Sequence, residues 1–169
     1  MACSKKVLIA GFGSLLQGDD SFGIRLLASV EAELRRIGGI DVLEASTNGI
    51  MMVQQLMEGY DVLIILDAIS MGGEPGELYV LELEDVKSSS NDYVTSIAQL
   101  HEINPQSALQ IAKALKVLPP RVYFIGCEPA AIDFTLEVSP PMYKCLERAR
   151  RALLTLVTSV CSGNEGPRT

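Results

Sequence analysis

Short apolar runs alternate along this chain with longer stretches of helical periodicity, the pattern of a sheet whose strands are joined by crossover helices. Lys6 to Ala10 reads as the first strand. Ser21 to Arg36 follows as a helix with Phe22, Leu26, Val30 and Leu34 at helical spacing, and Gly38-Gly39 stops it. Ile40 to Leu43 is the second strand, Ser46 to Asn48 a helix entry, and Ile50 to Met57 a helix with an inward face of Met51, Met52, Val53 and Leu56. Val62 to Leu66 is almost continuous Val, Ile and Leu, as expected of a central parallel strand covered on both faces.

Beyond a turn at Met71 to Gly76, Glu77 to Leu83 alternates as an edge strand that runs antiparallel to the rest, and Glu84 to Asp92 is a polar connection. Pro105 to Val117 is helical, with Ala108, Ile111, Ala112 and Leu115 inward; Val122 to Ile125 is another buried strand, and Pro140 to Val160 the final helix. The pattern predicts one three-layer α/β domain over residues 1–160, a mostly parallel twisted sheet of about five strands with helices on both faces. Residues 161–169 read as a flexible tail.

Composition narrows what such a domain can do. With 169 residues, 48% of them hydrophobic, the chain can bury a substantial core. Its net charge of −7 argues against a nucleic-acid surface, because Arg148, Arg150 and Arg151 form the only short basic group. That group is expected on a solvated helix face. No apolar run is long enough to span a bilayer. Cys3, Cys127, Cys145 and Cys161 are widely spaced and form no C-x-x-C, so a reducing cytoplasm, with no disulfide framework and no structural zinc, is expected.

The candidate chemistry sits where strands end. VLIAGFGSLLQGDDSFG breaks at a glycine turn and leads through Asp19-Asp20 into the first helix. A dinucleotide fingerprint would need a third glycine where Leu16 stands, and adjacent carboxylates repel a pyrophosphate. Two readings of the acids stay open: a site pair, or Asp19 capping the helix while Asp20 complements its dipole. Asp67 ends the third apolar strand, at the rim where open α/β sheets bind ligands, or else solvates a loop. His101, the single histidine, lies between the polar connection and the next helix. One histidine cannot make a two-histidine metal motif, so any metal it meets needs carboxylate partners.

Taken together these stretches resemble the hydrogenase maturation proteases. VLIAGFGSLLQGDDSFG looks like their G-x-G-N-x-L-x-x-D-[DE]-x-x-G signature, LIILDAI like their strand ending in Asp-Ala, and LHEINPQSALQIAKAL like their His-led helix. IGCEPAAIDFTLEVSP is similar to their late strand with a G-x-x-P turn and an L-x-x-S-P helix entry. The resemblance implies an endopeptidase that removes the C-terminal extension of a nickel–iron hydrogenase large-subunit precursor. It assigns Asp20, Asp67 and His101 as catalytic residues and as the ligands that meet nickel. In such proteases the metal arrives with the substrate, so no tightly bound cofactor is implied, although cadmium or another divalent ion would suit the same ligands. The implied partner is the precursor, met in a transient complex by a monomer in the cytoplasm.

The mechanism stays open between Asp20 or Asp67 as general base and the metal as Lewis acid. No G-x-S-x-G elbow is present, and no cysteine is close to His101 in sequence. Gly11, Gly13 and Gly23 are expected to let the turn approach the substrate backbone. Ser14 stands where the family commonly has Asn, and Ala45 to Gly49 is less glycine-rich than the family's loop; both bear on which precursor is cut. Two alternatives remain: a nucleotide or small-molecule module, with Glu44 better placed than Glu33 or Asp41 to meet a ribose, and a nickel-sensing chaperone without cleavage.

Overall fold

The computed structural model describes residues 2–84 and 104–163. β1 (Ala2–Phe12) leads through a 3-10 turn at Gly18–Ser21 into α1 (Phe22–Leu34), then β2 (Gly38–Ser46), α2 (Gly49–Leu56) and β3 (Val62–Ala68). β4 (Leu78–Glu82), α3 (Pro105–Ala114), β5 (Arg121–Cys127) and α4 (Pro140–Cys161) complete the described chain. The five strands are ordered β2-β1-β3-β5-β4. All neighbours are parallel except β4, which pairs antiparallel with β5, as the alternation of its residues predicts.

Period-two alternation in the three inner strands divides the core into two. Val7, Ile9, Val62, Ile64, Leu66 and Ile125 face α1 and α4, whereas Leu8, Ala10, Leu63, Ile65, Val122 and Phe124 face α2 and α3. Every one of Val62 to Leu66 is fully buried, so a strand covered on both sides has no polar face to show. The i,i+4 row Phe22, Leu26, Val30 and Leu34 is the buried stripe of α1.

Several expectations shift. Gly38-Gly39 opens β2 rather than merely ending a helix, with Gly39 at a positive φ of 92°. Met51 is 41% exposed while Met52 and Val53 are buried, because the buried arc of α2 runs through positions 49, 52, 53 and 56 and position 51 falls outside it. In α3, Ala108 and Ala112 are buried and Ile111 packs against the core as expected, but Leu109 joins them while Leu115, past the helix end, is exposed.

The Arg148–Arg151 group is engaged rather than simply solvated: Arg150 pairs with Glu33 of α1, and Arg148 donates to the Gly76 carbonyl. Cys3 and Cys161 form a disulfide between the start of β1 and the end of α4, 158 residues apart in sequence. This overturns the expectation of no disulfide, since wide spacing in sequence does not prevent two chain ends from meeting across a sheet. It also removes the cysteine argument for a reducing compartment. Of the tail expected over 161–169, Cys161 is instead the last residue of α4, held by its disulfide, and residues 164–169, like the polar connection beyond Glu84 and His101, lie outside the described residues. No helix among the described residues is long and apolar enough to cross a membrane.

Candidate functional site

The chain leaves β1 to one neighbour, β2, and returns on the other side as β3, so the carboxyl ends of β1 and β3 flank the point where strand order reverses. Gly11 and Leu66 pair across this point. Glycine decides what can occupy it. A Cβ on Gly23 would sit 2.1 Å from the Leu66 carbonyl oxygen and 2.4 Å from that of Phe12. One on Gly13, whose φ is 120°, would lie 1.8 Å from the Asp20 carbonyl oxygen. These two glycines therefore let the first turn of α1 rest on the strand ends. The expectation that they admit a substrate backbone is corrected: the protein's own main chain fills that space. The same closure leaves no cradle for a pyrophosphate, which disposes of the nucleotide alternative at this turn.

That packing brings the acids of two strand ends together. Asp20, in the 3-10 turn, accepts a hydrogen bond from the Ser14 N–H at 3.0 Å. Asp67, at the end of β3, takes one from the Ala68 N–H. Burial, followed by the negative charge of Asp20, pushes the Asp67 carboxyl up to about 7. Burial also raises Asp20, against the lowering effect of the Ser14 hydrogen bond. A shielded carboxyl whose ionisation a neighbouring carboxylate opposes marks a place where a cation is welcome. The adjacent pair Asp19-Asp20 is thereby split: Asp20 shares its surroundings with Asp67, and Asp19 does not.

Asp19 has a different fate, and neither sequence reading anticipated it. It is 1% exposed and turned away from its own helix. Its carboxylate accepts from the Ala130 N–H at 2.8 Å, the Ser139 N–H at 2.7 Å and the Ser139 hydroxyl at 2.7 Å. Ser139 is in turn the N-cap of α4, accepting from the Met142 N–H at 3.3 Å. Asp19 thus ties the turn after β1 to the segment after β5. The Ser-Pro pair at 139–140 was the available signal, since Pro at the first helical position marks the residue before it as a cap.

Glu128 is a second group that the sequence reading missed. It follows β5 and is 6% exposed. Its carboxylate accepts from the Met71 N–H and the Tyr79 hydroxyl, both at 2.8 Å, and from the Gly73 N–H at 3.3 Å. These donors, led by the Met71 amide, hold the carboxyl below the ordinary range and fix the loop that leaves β3 just beyond Asp67.

Ser46 completes the rim: it takes a left-handed φ of 52° at the end of β2 and accepts from the Gly13 N–H at 2.9 Å. His101 lies outside the described residues. Its sequence neighbour Asn104 is the N-cap of α3, with its side-chain oxygen accepting from the Ser107 N–H at 2.9 Å. Among the described residues no three His, Cys, Asp or Glu side chains cluster closely enough to hold a metal; Asp20 and Asp67 are a pair.

Comparison with known proteins places the whole chain rather than single residues of the rim. A family model described as hydrogenase maturation protease matches residues 24–156. The hydrogenase expression/formation protein HupD of Rhizobium leguminosarum is 29% identical over 166 residues, covering 95% of this chain and 80% of that protein. HupM of Azotobacter chroococcum is 31% identical, over 86% of this chain and 68% of its own length. Among solved structures, the hydrogenase 2 maturation peptidase of a Thaumarchaeota archaeon superposes with a TM-score of 0.66 at 31% identity, covering 95% of this chain and all (100%) of that one. The hydrogenase maturating endopeptidase HybD of Escherichia coli shares the fold with a TM-score of 0.71 at 21% identity, covering 91% of this chain and 93% of its own.

Proposed function

The chain belongs to the hydrogenase maturation protease family, and from that membership we propose that it is an endopeptidase that removes the C-terminal extension of a nickel-bearing hydrogenase large-subunit precursor. The observation that carries the reading is the convergence of Asp20 and Asp67, 47 residues apart in sequence (67 less 20), on the crevice where the strand order reverses. Asp20, Asp67 and His101 are the residues assigned to meet the substrate's nickel. Two carboxylates and an imidazole make an open, oxygen- and nitrogen-bearing set that suits a borderline divalent ion and leaves positions for the substrate's own ligands. So few protein ligands hold the ion weakly, which makes nickel part of the substrate rather than a resident cofactor.

When seated there, the ion supplies the positive charge that the acid pair lacks and anchors the adjoining tail at the rim. The protein's part is proton handling. Asp20 or Asp67 takes a proton from the water that attacks the scissile carbonyl, and returns one to the departing amine as the C–N bond breaks. The carboxylate is regenerated and no covalent enzyme intermediate forms. Glu128 keeps the loop after Asp67 in place, and the enzyme works as a monomer in a transient complex with the precursor.

Incubating the protein with nickel-loaded precursor and following the precursor by intact mass spectrometry tests the proposal. The expected result is loss of a C-terminal fragment with wild type, and none with Asp20→Asn, Asp67→Asn or His101→Ala. Binding of the precursor without any mass loss would instead make the protein a nickel-sensing chaperone. Full cleavage by all three variants would remove the site.

A further inference from the structure

Beside the acid pair the same rim presents an apolar surface that folding alone does not explain. Of the twelve large hydrophobic residues exposed among the described ones, five lie on two adjacent segments: Leu15 and Leu16 after β1, and Ile132, Phe134 and Leu136 after β5. Phe134 is 86% exposed, more than any of the others. Ile132, Phe134 and Leu136 alternate with Asp133 and Thr135 along a segment exposed throughout, and an isolated bridge between Thr135 and Gln17 sets it beside Leu15 and Leu16.

Both segments are held in place from beneath. The Gly18 N–H donates to the Thr135 carbonyl at 2.8 Å, and the Thr135 N–H donates to the Leu16 carbonyl at 3.0 Å. Arg25, fixed by its bond to the Ser21 hydroxyl, donates to the Leu136 carbonyl at 2.6 Å. Asp19 grips both ends of the second segment, at Ala130 and at Ser139. Bonds at Leu16, Thr135 and Leu136, with the segment's ends held at Ala130 and Ser139, anchor a backbone that carries apolar side chains in solvent, which is the arrangement of an interaction face.

We propose that this surface, centred on Leu16 and Phe134, is the docking face for the folded body of the precursor whose tail the acid pair receives. The inference rests on the function proposed above and names how that partner is held. Leu15 and Leu16 belong to the same turn as Asp20, and the Asp20 carboxylate is bonded to the Ser14 N–H, so a protein that brings a cation to the acids lies against the patch. Three polar ligands cannot supply the roughly 800 Å² per partner that a specific protein complex buries. Five clustered apolar side chains beside them supply the water-excluding part. A second copy of this chain is the poorer occupant. Its net charge is −7, and a symmetric contact through this rim would bring two Asp20–Asp67 pairs together.

The test uses the full-length protein with Leu16→Ser and Phe134→Ser combined, and Met57→Ser as control. Met57 is 66% exposed at the far end of α2, away from the carboxyl rim. Binding of purified nickel-loaded precursor is measured by biolayer interferometry, cleavage by mass spectrometry, self-association by sedimentation velocity, and folding by circular dichroism. The expected result is a Kd at least tenfold weaker for the double variant, arising in koff, with KM raised, kcat little changed, and Met57→Ser like wild type.

Equal Kd values for the folded double variant and wild type overturn the docking face while leaving the protease reading intact. Wild type that binds through these residues but does not cut sinks the protease reading and keeps the face. A wild-type dimer that the double variant loses, with precursor affinity unchanged, gives the face to a second copy and overturns the proposal.

Discussion

Asp19 and Asp67 are both shielded aspartates at one rim of one sheet, yet their surroundings oppose each other. Three donors converge on Asp19, two from main-chain amides and one from the Ser139 hydroxyl. Asp67 has the Ala68 amide on one side and the negative charge of Asp20 on another, and burial pushes its carboxyl up to about 7. A carboxylate whose oxygens are satisfied by the protein holds the fold together. One that the protein has shielded without neutralising is available to something that arrives from outside. Asp20 shows how little sequence distance matters, since it adjoins Asp19 and belongs with Asp67.

The largest effect that separates the two acids is catalytic. Asp67→Asn is expected to reduce processing of nickel-loaded precursor by at least about 1,000-fold, some 4 kcal/mol in the barrier, while leaving the folded state intact. Single-turnover cleavage together with thermal unfolding checks both halves. If Asp67→Asn instead unfolds the protein, Asp67 is a structural acid like Asp19. Next in size, Asp19→Ala should lower stability by about 2 kcal/mol, because it removes three hydrogen bonds and strands two partly buried amides and a hydroxyl. Urea unfolding reads that loss, and unchanged stability would mean that the clamp is not what holds the rim.

A third prediction concerns pH. The Asp67 carboxyl titrates near 7 in the folded protein against 3.8 as its ordinary value, so between those values the folded state keeps a proton that the unfolded state has lost. Stability should therefore fall as pH rises from about 4 to 7, by on the order of 2 kcal/mol once solvent screening of a partly exposed group is allowed for. Asp67→Asn should flatten that decline and be the more stable protein at pH 8. Added nickel or cadmium should recover part of the loss in wild type alone, which thermal shift measured across pH would detect. Smallest is Ser139→Ala, expected to lower stability by about 1 kcal/mol through the α4 cap and one Asp19 hydrogen bond. An effect of about 2 kcal/mol would mean that Ser139, more than the two amides, carries the clamp.

Periodicity foretold the elements well, because burial imposes a pattern that local sequence cannot hide. Val62 to Leu66 reads as a two-sided central strand from composition alone, and Glu77 to Leu83 as an antiparallel edge from its alternation. What periodicity leaves open is the choice between neighbours of similar character. Met51 and Met52 are identical neighbours in α2 of which only the second is buried, and Leu109 rather than Leu115 fills the core under α3. The motif glycines were identified as necessary, but the atoms that require them are carbonyls of Phe12, Leu66 and Asp20, two of which lie on other elements than the glycines they exclude a side chain from. Cys3 and Cys161 escaped notice because their approach depends on where two chain ends finish after the sheet has closed.

The order of residues determined that an α/β sheet would form, that acids would follow its first and third strands, and which family the chain resembles. Whether Asp19 or Asp20 shares a crevice with Asp67 depends on the tertiary structure, in which Gly23 lies against the Leu66 carbonyl and the segment after β5 captures Asp19. In that arrangement one carboxylate meets the amides of the segment after β5 and its neighbour faces a like charge. Local sequence sets which groups are present at a strand end. Their ionisation depends on through-space charge, hydrogen bonding and lost water, which exist only once distant segments have packed.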